Sequence, residues 1–123
     1  MRRFISAFLP SVPAAEAKNP RISPLYEDLE QYRVPGGSRL PRALFTCGTA
    51  DPLLDDSVFM AAKWQVAGAA AVLRIYPGAV HGFSGFAAAA YEQAGRVLGD
   101  TRAFVQEGVE RLGGGEGGEG GKL

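Results

Sequence analysis

At 123 residues the chain is sized for at most one domain, and an apolar content of 46% is ordinary for a globular protein. Thirteen Lys and Arg balance thirteen Asp and Glu, leaving no net field to gather nucleic acid or an anionic membrane surface, so neither is expected as a partner. The single cysteine, Cys47, cannot form an internal disulfide, and a cytoplasmic setting is the default expectation.

The amino-terminal residues imitate a signal peptide, with Arg2 and Arg3 ahead of the apolar Phe4 to Leu9 and then Ala15-Glu16-Ala17. The apolar stretch is too short for that role, being interrupted by Ser6 and stopped by Pro10, so residues 1–18 read as an amphipathic segment. Nothing in the sequence approaches the ~20 apolar residues of a membrane span. From Lys18 to Arg42, Pro20, Pro24, Pro35, Gly36, Gly37 and Pro41 punctuate a stretch without sustained period, which predicts extended connection.

Ala43 to Thr49 is a short β-compatible run bounded by Pro41 and Pro52, too short for a helix, and predicts a buried strand. A helix follows, capped by Asp55 or Asp56, with Phe59, Ala62 and Val66 on its core face and Gly68 as its left-handed stop. Ala71 to Tyr76 predicts a second strand, ended by Pro77-Gly78. A weak helix over Phe86 to Leu98 is followed by a better one that starts at Asp100 and offers Phe104, Val105, Val109 and Leu112 to a core. Gly113 to Gly121 is a run of glycine broken only by Glu116 and Glu119, and residues 113–123 predict a disordered tail. Its end, Gly121-Lys122-Leu123, comes near a peroxisomal address but has glycine where serine is expected.

Strand, helix and strand with short connections predict an α/β fold with parallel strands. Parallel strands are buried on both faces, and two alone do not hold together in water, so the sheet is incomplete. Self-association through exposed strand edges follows as an expectation.

In open α/β sheets the ligand site lies beyond the carboxyl ends of the strands. Asp51 stands just after the first strand, and His81, the single histidine, just after the second. Adjacent strands lie ~4.8 Å apart, which would bring this carboxylate and imidazole within hydrogen-bonding reach as orienting acid and general base. Each residue also has a plainer reading: Asp51 as a turn former before Pro52, and His81 as a solvated loop residue before Gly82. Asp55 and Asp56 could form an acidic trio with Asp51 for a divalent ion, but read better as helix-start residues, and no metal site is expected. Cys47 reads as an apolar filler and not a nucleophile.

Four segments carry a family resemblance. They are Asn19-Pro20-Arg21-Ile22-Ser23-Pro24-Leu25, Leu40 to Phe45, Gly48-Thr49-Ala50-Asp51-Pro52-Leu53-Leu54-Asp55-Asp56 and Tyr76-Pro77-Gly78-Ala79-Val80-His81-Gly82-Phe83. Together they resemble the closing third of hormone-sensitive-lipase-like esterases of the α/β-hydrolase fold. The resemblance covers residues 19–112 and is most specific between Pro41 and Phe83. It implies the C-terminal strand-helix-strand-helix portion of that fold, with Asp51 and His81 as members of a Ser-His-Asp triad. It also implies that full-length relatives hydrolyse small-molecule carboxylic esters without a cofactor.

The family's chain order, Ser then Asp then His, places the nucleophile upstream in a Gly-x-Ser-x-Gly elbow, with the oxyanion hole earlier still. Neither is present. Ser84 and Ser38 each follow part of the pattern but lack its final glycine, and neither sits between a strand and a helix. The chain by itself is therefore expected to be catalytically silent. The alternative function is a non-catalytic interaction or binding module derived from a hydrolase.

Overall fold

The computed structural model describes residues 11–13 and 15–113. The glycine-rich tail beyond Gly113, and residues 1–10 and 14 of the expected amphipathic segment, lie outside the described residues. The chain divides into two compact units, Met1–His81 and Gly82–Leu123.

The centre of the first unit is the expected strand-helix-strand. Strands β3 (Ala43–Gly48) and β4 (Ala71–Tyr76) are joined through helix α1 (Leu54–Val66). The two strands pair in parallel, with Ala43 opposite Ala71 and Gly48 opposite Tyr76, so their carboxyl ends finish level. Ahead of them, two 3₁₀ turns, Pro24–Tyr26 and Leu29–Tyr32, lead into a small antiparallel hairpin of β1 (Arg33–Val34) and β2 (Gly37–Ser38). The expected extended connection is thus folded locally. Asp28 accepts a hydrogen bond from the Glu30 N–H to start the second turn, and Pro35-Gly36 closes the hairpin. Elements of two to four residues are too short to leave a period in the sequence.

Helix α1 packs on the sheet through a face other than the expected one. Ala61 is buried, and Trp64 meets Phe45 of β3 edge to face with ring centroids 5.8 Å apart. Phe59 and Val66 are instead 56% and 58% exposed. The helix is apolar on two sides, so periodicity could not choose between them, and the small Ala61 allows closer approach to the strands. The open side of α1 faces a groove of about 530 Å³ lined by Leu25, Tyr26, Leu29, Phe59, Ala62 and Val66. Lys63 crosses to the preceding segment, its Nζ donating to the carbonyl oxygens of Leu25 and Glu27 at 2.6 Å each. Trp64 Nε1 donates to Pro41 O at 2.8 Å.

The start of α1 also differs from expectation. Neither Asp55 nor Asp56 caps it: the position before the helix is Leu53, with no side-chain cap, and the two acids lie inside the first turn. There they face the positive end of the helix dipole, which favours acids as a cap position does, so composition could not separate the two placements. Gly68 stops the helix as expected. Its φ is +82°, and a Cβ would stand 2.7 Å from Gly37 O, so both backbone conformation and space require glycine.

The strands are less buried than parallel strands in a complete sheet. Only Cys47, Gly48 and Tyr76 are fully buried, at the carboxyl ends, while Arg74 and Ile75 are exposed. Within this unit one helix lies against a two-stranded parallel sheet, and among the described residues β3 and β4 each keep one edge without a strand partner. The incomplete α/β sheet expected from the sequence is the one observed.

The second unit contains a 3₁₀ turn at Phe83–Gly85 and helix α2 (Glu92–Gly113), with Phe86 and Tyr91 edge to face at 5.3 Å. Where the sequence predicts two helices, over Phe86 to Leu98 and from a cap at Asp100, residues 86–91 are bend and turn and one continuous helix starts at Glu92 and runs on past Asp100, which lies inside it. Gly95 and Gly99 take no left-handed conformation. Each costs about 1 kcal/mol relative to alanine but leaves the hydrogen-bond ladder intact, so two weak positions do not make a break. Of the residues expected in a core, Val105, Val109 and Leu112 are 56%, 63% and 81% exposed, and Phe104 is half-buried. The buried positions are Ala94 and Val97, near the start of the helix. Among the described residues, no helix is long and apolar enough to cross a membrane.

Candidate active site

The level carboxyl ends of β3 and β4 put the two following loops side by side. The ladder continues past the strands: Thr49 N–H donates to Tyr76 O at 3.0 Å, and Ala50 N–H donates to Ala79 O at 3.0 Å. This second bond requires the loops to touch at Gly48, where a Cβ would lie 2.0 Å from Ala79 O. Only a residue without a side chain fits there.

On this frame Asp51 and His81 meet. His81 Nδ1 lies 3.0 Å from Asp51 Oδ2 and 3.2 Å from Oδ1. The Asp51 side chain is 9% exposed and that of His81 64% exposed, so the carboxylate is seated and the imidazole is presented to solvent. An ionised carboxylate can only accept, so Nδ1 is the nitrogen that carries the proton, which leaves Nε2 as acceptor in the neutral ring. Among the described residues Nε2 has no hydrogen-bond partner.

The Asp51 carboxylate makes two contacts. Its Oδ1 accepts the Leu53 N–H at 2.8 Å, the turn expected of an Asp before Pro52, while the same carboxylate holds the imidazole. Burial works to raise the Asp51 pKa. The Leu53 N–H, the hydrogen bond and charge of His81, and a hydrogen bond from the Cys47 thiol outweigh it and hold the carboxyl below its usual value. Cys47, four residues before Asp51, is buried at 3% exposure, the placement expected of an apolar filler.

Asp55 does not compete for the imidazole, because its Oδ1 accepts from the Asp56 N–H at 3.0 Å. Among the described residues no three His, Cys, Asp or Glu side chains converge as metal ligands. Ser38 lies in the hairpin and Ser84 in a 3₁₀ turn, so neither stands on a strand-to-helix elbow.

A family model described as the alpha/beta hydrolase fold matches residues 1–85. This chain belongs to that family. Esterase LipU of Mycobacterium tuberculosis (strain ATCC 25618 / H37Rv) is 34% identical over 103 residues, which are 84% of this chain and 33% of LipU. The chain thus spans about a third of the length of the curated relative it matches. Among solved structures, an esterase named E25 is similar in fold, with a TM-score of 0.66 at 24% identity over 84% of this chain and 28% of E25. EstE1, a thermophilic and thermostable carboxylesterase cloned from a metagenomic library, gives a TM-score of 0.57 at 31% identity over 74% of this chain and 30% of its own. The hormone-sensitive-lipase-like α/β-hydrolase resemblance read from the motifs is the one these relatives support.

Proposed function

We propose that this α/β-hydrolase-family chain supplies the acid and the general base, Asp51 and His81, of a Ser-His-Asp triad that hydrolyses small carboxylic esters. The observation that carries the reading is the Asp51 carboxylate 3.0 Å from His81 Nδ1, with Nε2 left as acceptor. In such a triad Nε2 takes the proton from the serine hydroxyl as it attacks the ester carbonyl, then returns it to the leaving alcohol. The carboxylate holds the ring in the correct tautomer and stabilises the imidazolium. The serine and the oxyanion donors come from outside these 123 residues, which alone do not turn over an ester. The esterase and carboxylesterase names of LipU and EstE1 support the substrate class.

The test has two arms. The purified chain is assayed on a short-chain aryl ester against a Ser84→Ala control, where no difference is expected and a serine-dependent rate would overturn the silence. The chain is also substituted for the matched segment of LipU. The chimera is expected to hydrolyse the ester and to lose about 10⁴-fold in kcat on Asp51→Asn. An active chimera indifferent to both Asp51→Asn and His81→Ala sinks the assignment.

A further inference from the structure

The Asp51 and His81 loops are joined before the two side chains meet. Two of the joints, Thr49 N–H to Tyr76 O and Ala50 N–H to Ala79 O, are made by backbone alone and prolong the ladder. The third depends on a side chain: the Gly78 N–H donates to Thr49 Oγ1 at 2.7 Å. It is the shortest of the three, and it grips the tip of a tight turn, where Ala79 N–H returns to Tyr76 O at 3.2 Å and Gly78 takes φ +73°.

The placement gives this contact leverage. Thr49 stands two residues before the acid, and Gly78 three residues before the base, on opposite sides of the seam. Backbone bonds fix where Tyr76 and Ala79 lie, and the turn between them carries the chain toward His81. The Thr49 hydroxyl oxygen on the Gly78 amide orients that turn, since a hydrogen bond is directional and weakens steeply off line. Valine has the shape of threonine but no acceptor, whereas serine keeps the acceptor and loses only a methyl.

We propose that Thr49 is a positioning residue for the Asp51–His81 pair, its hydroxyl oxygen clamping the Pro77-Gly78 turn so that the imidazole meets the carboxylate through Nδ1. The inference rests on the reading of that pair as acid and base. The clamp is solvent-exposed, so water replaces part of what Thr49→Val removes, and the loss loosens the pair without unfolding the strands. A single hydrogen bond has a net effect of about two- to tenfold on such an equilibrium.

His81 is the single histidine, so the imidazole ¹⁵N spectrum of the full chain belongs to one residue. The measured quantity is the ratio of Nδ1–H to Nε2–H tautomers in the neutral ring, with Gly78 amide exchange followed in parallel. Thr49→Val is expected to lower the ratio about two- to tenfold and to deprotect the Gly78 amide, and Thr49→Ser to restore both. A Thr49→Val chain with the parent ratio and unchanged circular dichroism overturns the inference. Should Thr49→Val lose its fold, the unsubstituted chain decides: a Gly78 amide exchanging at the random-coil rate overturns the clamp, and a retarded one supports it. Asp51→Asn separates the two claims. If it leaves the tautomer ratio unchanged, the acid–base reading fails, while loss of Gly78 protection in Thr49→Val still supports the clamp.

Discussion

Replacing Gly48 by alanine tests whether the seam between the two loops holds the site together. The new Cβ would lie 2.0 Å from Ala79 O, 2.4 Å from its carbonyl carbon and 2.8 Å from its Cβ. All three atoms belong to a single residue whose backbone is hydrogen-bonded on both sides, so no flexible side chain can swing away. The seam must open until the first distance reaches the 3.4 Å of an ordinary contact, which carries the 3.0 Å Ala50–Ala79 bond out of range. Overpacking costs about 1–3 kcal/mol and the lost bond about 1 kcal/mol, so the local penalty is about 2–4 kcal/mol. Read as amide exchange, the Ala50 N–H should lose about 30- to 1000-fold in protection, because each 1.4 kcal/mol is tenfold. The Asp51–His81 contact, two residues beyond Ala79, should lengthen with it, and the Nδ1–H tautomer preference should fall. Amides at the start of the ladder, such as Ala43, which bonds Ala70 O at 2.9 Å, should change little. An Ala50 amide within about twofold of the parent would refute the reasoning, since it would mean that the loops accommodate a methyl without parting.

Two further expectations concern the same chain. The folded Asp51 pKa lies below its unfolded value of ~3.9, so its stabilisation is present above that value and is lost as pH falls through the folded pKa. Leu53 and Ala50 amide protection should therefore hold from neutral pH down to about 4 and decline below it, and an Asp51→Asn chain with the same acid limb would contradict this. Among the described residues β3 and β4 each keep an edge without a strand partner, and with the open apolar side of α1 this should make the isolated chain self-associate or melt broadly. A sedimentation-verified monomer with a sharp cooperative melt would count against that.

Much of the frame was legible in the residues themselves. Pro and Gly bounded two β-compatible runs, Gly68 marked a helix stop, and the spacing of Asp51 and His81 placed a carboxylate and an imidazole on neighbouring loops. These are local signals, carried by backbone preferences and by the fixed distance between adjacent strands. Tertiary structure alone decided which side of α1 met the sheet, because the helix is apolar on two sides and small residues won the close contact. It also decided that Gly95 and Gly99 would be spanned by one helix, since their cost of about 1 kcal/mol each weakens a helix without ending it. The parts of the site invisible to the sequence, Thr49 over the Gly78 amide and the space for nothing larger than Gly48, depend on contacts between residues that no pattern links. Spacing along the chain can place two loops side by side, but only the register of β3 against β4 fixes which atoms within them touch.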